Sequence, residues 1–261
     1  VVVLVSTVFL VQNRYYEIQL ARSAAHDGAR TMTDGMASEL RSVARGGVKV
    51  AESTRLAVRS PVVLAVVCAQ TSGDEVAVQF DGGPSGIDTD EVTGFAVRDT
   101  ITGDWSYYDG GSWGNIVQLS GTPASACAAN GADTTGAFGD FTELRQLSSY
   151  YGSVPAVGQL LMLYREVEYA IDVSGMRPGA LALFRTVGGG TPVEFATGLD
   201  PSARFQYRTG GSSYANAVAG SGLSAIDAIR IVAEAREAPA TGGVDDVTFG
   251  WAVNVILRNG G

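Results

Sequence analysis

Lysine is almost missing from this chain: of 18 basic residues, Lys49 is the only one that is not arginine. Histidine is as scarce, with His26 alone in 261 residues. One imidazole leaves Ser–His–Asp or Cys–His catalysis little to work with. His26 follows helix-like spacing beside Asp27, so a solvated or subunit-facing side chain is expected. Cysteine is limited to Cys68 and Cys127. No CxxC or HxxxH spacing occurs, which excludes the common zinc frameworks. One disulfide in an oxidising compartment and two buried thiols both fit the pair. A basic excess is also absent. With 27 acidic residues the net charge is -9, and a nucleic-acid partner is excluded because binding would need a basic face to displace counterions. No carboxylate pair stands out, so the chain is expected not to be an enzyme and to need no cofactor.

Long hydrophobic runs are lacking too. The apolar stretch Val1–Val11 falls short of the ~20 residues that cross a bilayer. It has neither the basic start nor the small-residue cleavage site of a secretory signal. The first residue is not Met, and the stretch reads as the second half of a hydrophobic helix cut on its N-terminal side.

What is present is a composition that folds: 46% hydrophobic, 17% charged, with 34 glycines gathered mostly after residue 72. No proline interrupts Val1 to Arg45, and Gly46–Gly47 follows as a stop signal, with Arg41 and Arg45 suited to the negative end of the helix dipole. Such a helix would measure about 68 Å at 1.5 Å per residue. Leu20, Ala24, Gly28, Met32, Met36, Leu40 and Val43 recur at three or four, predicting one apolar stripe. Asp27–Arg30 and Arg30–Asp34 have ion-pair spacing on the other side. Gly28 and Gly35 in a helix interior each cost ~1 kcal/mol against Ala. They predict either a weak helix or the close approach of a neighbouring backbone.

Beyond residue 47 the period changes to two. Strands are predicted over 55–69, with Pro61 marking an edge or bulge, and over 75–80, 94–99 and within 103–121. Residues 122–158 read as loop-rich, with a short helix in FTELRQLSSYYG (141–152). Further strands are predicted over 159–173, 180–187, 192–199, 203–209, 225–237 and 248–259. No βαβ rhythm appears. The expected fold is α+β: a helix over 1–47 packed on an antiparallel β-rich globular head over 48–261. Asp88, Asp90 and Glu91 in DTDE, with Asp245 and Asp246, are weak metal candidates without EF-hand spacing. Solvated turns are favoured there and no metal is expected. Trp105, Tyr107, Tyr108 and Trp113 cluster in WSYYDGGSW, where sheet packing is favoured over an exposed binding face.

Several stretches in order resemble the type IV pilin-like superfamily, in particular its larger minor pilins and pseudopilins of the W or J type. RYYEIQLARSAAHDGARTMTDGMASELR (14–41) resembles their helix and VVLAVVCA (62–69) their first strand. LMLYREVEYAI (161–171), ALALFRTVGG (180–189), ARFQYRTGG (203–211) and AIDAIRIVAEAR (225–236) resemble the later sheet, and VNVILRN (253–259) the last strand. The family's processing site, and the Glu that follows it, have no counterpart here. The resemblance implies a structural subunit held in the bacterial inner membrane before assembly, then placed in an extracellular or periplasmic filament beside other pilin-like subunits. It implies an assembly helix carrying Leu4, Val5, Val8, Phe9, Leu10, Val11, Tyr15, Tyr16 and Leu20, minor, initiating or tip-adhesive in role. Phe9→Asp or Leu10→Asp is expected to abolish incorporation. An extracellular head implies a Cys68–Cys127 bond. A type II secretion minor pseudopilin is the nearest alternative. A membrane-anchored sensor or binding-protein ectodomain, with the helix as a stalk, is the alternative of another class.

Overall fold

The computed structural model describes residues 2–70, 75–80, 91–109, 117–118, 123–130, 141–144, 154–177, 179–237 and 247–257. Helix α1 spans Val2–Leu40, about 58 Å at 1.5 Å per residue. It stops five residues before the predicted end. Ser42 N–H and Val43 N–H donate to the carbonyls of Glu39 and Leu40, so the last turn tightens and the chain leaves the helix. Gly46 serves the next turn instead, with φ of 83°, a conformation that favours glycine.

The remaining chain is mostly strand: β1 (Val48–Ala51), β2 (Arg55–Gln70), β3 (Val76–Phe80), β4 (Gly94–Arg98), β5 (Trp105–Asp109), β6 (Val117–Gln118), β7 (Phe141–Leu144), β8 (Leu160–Val173), β9 (Leu181–Val187), β10 (Val193–Leu199), β11 (Arg204–Arg208), β12 (Ala228–Glu237) and β13 (Val247–Ile256). All belong to one sheet, with the path β11-β12-β10-β9-β8-β2-β3-β7-β6. Every pairing is antiparallel.

Two long strands organise it. β2 and β8 pair from Arg55–Ala170 to Val66–Leu160. The free edge of β2 takes β1 at one end and β3 at the other. The free edge of β8 takes β9 and β4 in the same way. The sheet therefore divides into two lobes along a shared spine. Pro61 lies where β2 changes lobe, at a register shift between Pro61 and Val63. That is the bulge its missing N–H predicts.

In the lobe nearer α1 the sheet nearly closes. Phe205 N–H donates to the Ser53 carbonyl at 2.7 Å and Val218 N–H to that of Ala51 at 2.9 Å. The Tyr207 hydroxyl donates to the Glu52 carbonyl at 2.7 Å. The concave side holds a core of Leu56, Val58, Val167, Tyr169, Leu183, Phe205, Ile229 and Ile231, into which α1 presses Ala25, Ala29, Met32, Met36, Leu40 and Val43. The second lobe packs Val67, Val78, Phe80, Phe95, Val97, Leu161 and Leu163.

This architecture overturns the α+β expectation. The head is a single nearly closed, barrel-like sheet rather than a pilin-type open sheet on a helical spine. The physical reason lies in the long strands. A twisted sheet of this many strands curls instead of staying open, and period-two patterning carries no record of closure. Two local expectations change as well. Phe141–Leu144, expected as the start of a helix, is β7 and pairs with β3 and β6. The rest of that predicted helix, 145–152, lies outside the described residues. Inside the expected loop, Pro123–Ala129 forms helix α2, with proline in the first turn, where its lost N–H needs no partner.

Candidate functional site

The surface that needs explaining is the leading part of α1. Val11, Tyr15, Tyr16 and Leu20 are 62%, 64%, 62% and 52% exposed. Among the described side chains the fully buried face starts at Ala21 and continues through Ala25, Ala29, Met32, Met36 and Leu40. The predicted stripe is thus right from Met32 onward and displaced by one residue before it: Leu20 and Ala24 face out while Ala21 and Ala25 face in. Small side chains let the helix lie close on β10, β12 and β13, and alanine gives periodicity little signal. Gly28 meets the expected neighbouring backbone, whereas Gly35 makes room for a side chain. A Cβ on Gly28 would stand 3.1 Å from the Thr197 carbonyl oxygen, and one on Gly35 2.5 Å from Cζ of Phe195. Leu4, Val5, Val8, Phe9 and Leu10 belong to the helical backbone, but their side chains lie outside the described set.

Two polar clamps hold the buried end of α1 and the lobe junction. In the first, Glu39 is 15% exposed and accepts from Arg185 Nη2 at 2.9 Å and Nε at 3.1 Å. The Tyr169 hydroxyl also donates to it, and Arg165 Nη2 stands 3.6 Å away. Burial alone would raise this carboxyl. The hydrogen bonds from Arg185 and Tyr169 outweigh it and keep the pKa below the ordinary value. Arg165 also pairs with Glu91, so the one described member of the DTDE cluster is an ion-pair partner. Asp88, Asp90, Asp245 and Asp246 lie outside the described residues. No group of three metal-ligating side chains occurs among the described residues.

The second clamp contains the only lysine. Lys49 Nζ lies 2.5 Å from Glu166 Oε2 and 3.6 Å from Asp109 Oδ1. Arg59 grips Asp109 with Nε and Nη2 at 3.0 and 2.7 Å. The Tyr164 hydroxyl donates to Asp109 at 2.7 Å. Desolvation pushes the Asp109 carboxyl up, but Arg59 and Tyr164 hold it down at about 2. Arg59 also lies 4.8 Å from the centre of the Tyr107 ring, a cation–π contact. Neither clamp was visible in the sequence, because the carboxylates and the groups that bind them are 50 to more than 140 residues apart.

The aromatic cluster is packed, as favoured. Tyr108 stacks on Phe95 at 5.1 Å and Tyr107 meets Tyr164 edge-on at 5.6 Å. Trp113 lies outside the described residues. His26 is half-buried, with Nδ1 3.5 Å from Asp27 and its ring edge-on to Phe249 at 4.8 Å. It is part of the seam between α1 and β13. Cys68 and Cys127 lie at disulfide distance, with Cα atoms 4.9 Å apart, and join α2 to β2. No helix among the described residues is long and apolar enough to cross a membrane. Comparison with family models, with curated proteins and with solved structures finds no match to this chain.

Proposed function

We propose that this chain is a structural subunit of a pilin-like filament, joined to its neighbours through the leading part of α1. The observation that carries the reading is the mismatch between helix and head. Val2–Leu20 runs about 28 Å ahead of the fully buried face, and Val11, Tyr15, Tyr16 and Leu20 are exposed on it. Helices in proteins take most of their stability from packing an apolar face, so the apolar side chains of this stretch call for a second environment. Lipid supplies one before assembly. Helices of neighbouring subunits supply the other, and burial there contributes about 25 cal/mol per Å². The Glu39 clamp holds the opposite, buried end of α1 to the head.

A pseudopilin of type II secretion would use the same contacts with other partners. The test is Val11→Asp in the full-length protein. Val11 is exposed in the single chain, so folding should be unchanged. A carboxylate enclosed by neighbouring helices would be unpaired and costly, so the variant is expected to vanish from sheared filament fractions. Incorporation at the wild-type level would reject the helix as the assembly element and favour a stalk beneath a sensor or binding domain.

A further inference from the structure

A sheet's unpaired edges invite other strands, and folded proteins normally cover or blunt them. Here most edges are covered or short. The outer side of β11 is met by Ala215 and, at Phe205, by Ser53, while β1 is met by Val218. β5 has five residues, ends in the clamped Asp109 and among the described residues is paired with β4 alone, and β6 has two residues. β13 is different. It is ten residues long, pairs with β12 on one side only, and has no partner on the other among the described residues. Its sequence, VTFGWAVNVI, contains no charge and no proline.

The register fixes which groups point outward. Leu257 N–H donates to the Asp227 carbonyl, so odd-numbered residues of β13 bond to β12. The N–H and C=O of Thr248, Gly250, Ala252, Asn254 and Ile256 therefore point away from it, and all five residues are exposed. Trp251 is 44% and Ile256 64% exposed.

We propose that this edge pairs with the same edge of a second copy, antiparallel about a two-fold axis through Ala252. The strand is self-complementary in that register. Thr248 falls opposite Ile256 of the second copy and Gly250 opposite Asn254, while Ala252 meets itself. On the face toward α1, Trp251 falls opposite Val253 and Phe249 opposite Val255, both aromatic–β-branched pairs of the stabilising kind. The small residues Gly250 and Ala252 leave the centre open. The edge itself carries no charge, so the pairing sets no like-charged residues of β13 against each other. About ten backbone hydrogen bonds would form, and the pairing is independent of the leading helix.

Light scattering on the full-length protein in non-ionic detergent tests this, together with hydrogen exchange. The expected mass is that of a dimer, retained in Val11→Asp. Ala252→Lys sets two ammonium groups against each other at the axis and should weaken association roughly tenfold or more. The amides of Thr248, Gly250, Ala252, Asn254 and Ile256 should be protected at high concentration and lose protection on dilution. Those of the residues between them should stay protected throughout. Concentration-independent exchange at the five amides would overturn the pairing, even if Ala252→Lys failed to fold. So would a monomeric wild type, or equal dimerisation of Ala252→Lys. A dimer that survives Ala252→Lys but is lost in Val11→Asp would assign association to α1 instead.

Discussion

Gly35 occupies a point on α1 where a side chain has no room. A Cβ there would stand 2.5 Å from the end of the Phe195 ring. Alanine could be admitted by a swing of that ring, but valine adds two more carbons. Gly35→Val should therefore lower unfolding free energy by ~1–3 kcal/mol, measured by urea denaturation, despite the gain in helix propensity. Glu39 makes the converse case of a residue needed for its charge. Glu39→Gln leaves Arg185 and Arg165 facing a neutral amide in a mostly buried setting. A loss of about 2–3 kcal/mol is expected. The pH dependence follows from the direction of the shifts. Glu39 and Asp109 both have folded pKa values below their ordinary ones. Their contribution is complete above the ordinary carboxylate range and is lost as pH falls through the folded values, for Asp109 about 2. Denaturation midpoints should hold down to about pH 5 and then fall toward pH 2. Asp109→Asn should flatten the lower part of that decline. An unchanged profile would show that the second clamp contributes nothing to stability.

Among the elements, the Cys68–Cys127 bond ties α2 to the strand it packs on. Cys127 is fully buried and Cys68 nearly so, beside Ala69 and Ala77. The closed loop spans a sequence separation of 59, for which the chain-entropy account gives about 4 kcal/mol. Cys68→Ser/Cys127→Ser should lower stability by ~2–4 kcal/mol, and unfolded, non-reduced wild type should titrate no thiols. Two titratable thiols per chain would refute the bond. The seam between α1 and β13 is held by side chains of another kind, His26 edge-on to Phe249 and the alanine face beneath it. Periodicity legibly placed Met32, Met36, Leu40 and Val43 inward. It failed at Leu20 and Ala24, because a helix that must lie close on a sheet buries its alanines and exposes a leucine.

Across the full chain, the head and the leading helix are expected to be separable in energy. The core that joins them begins at Ala25, and among residues 11–20 every side chain is exposed except those of Glu17 and Ile18, which are half-buried. Deleting residues 2–20 should leave the thermal midpoint of the head within a few degrees of wild type, read by circular dichroism, while abolishing filament incorporation. A collapse of the midpoint would mean that the leading segment is part of the fold and not an assembly element.

Local sequence was enough for the elements with strong periodicity, the long leading helix and the strands β2 and β8; at Pro61 it left an edge or a bulge, and at Gly28 and Gly35 a weak helix or a close approach. Each follows from spacing, proline's missing N–H or the absence of a Cβ, and these rules act over a few residues. Long-range packing was needed to make thirteen strands form one nearly closed sheet and to set Lys49 between Glu166 and Asp109. It also brought Arg185 to Glu39 and, among the described residues, left β13 with one edge unpaired. Closure depends on twist accumulated across strands far apart in the chain, and ion pairs depend on which of them come to lie side by side. Neither quantity has a period that a window of sequence can carry.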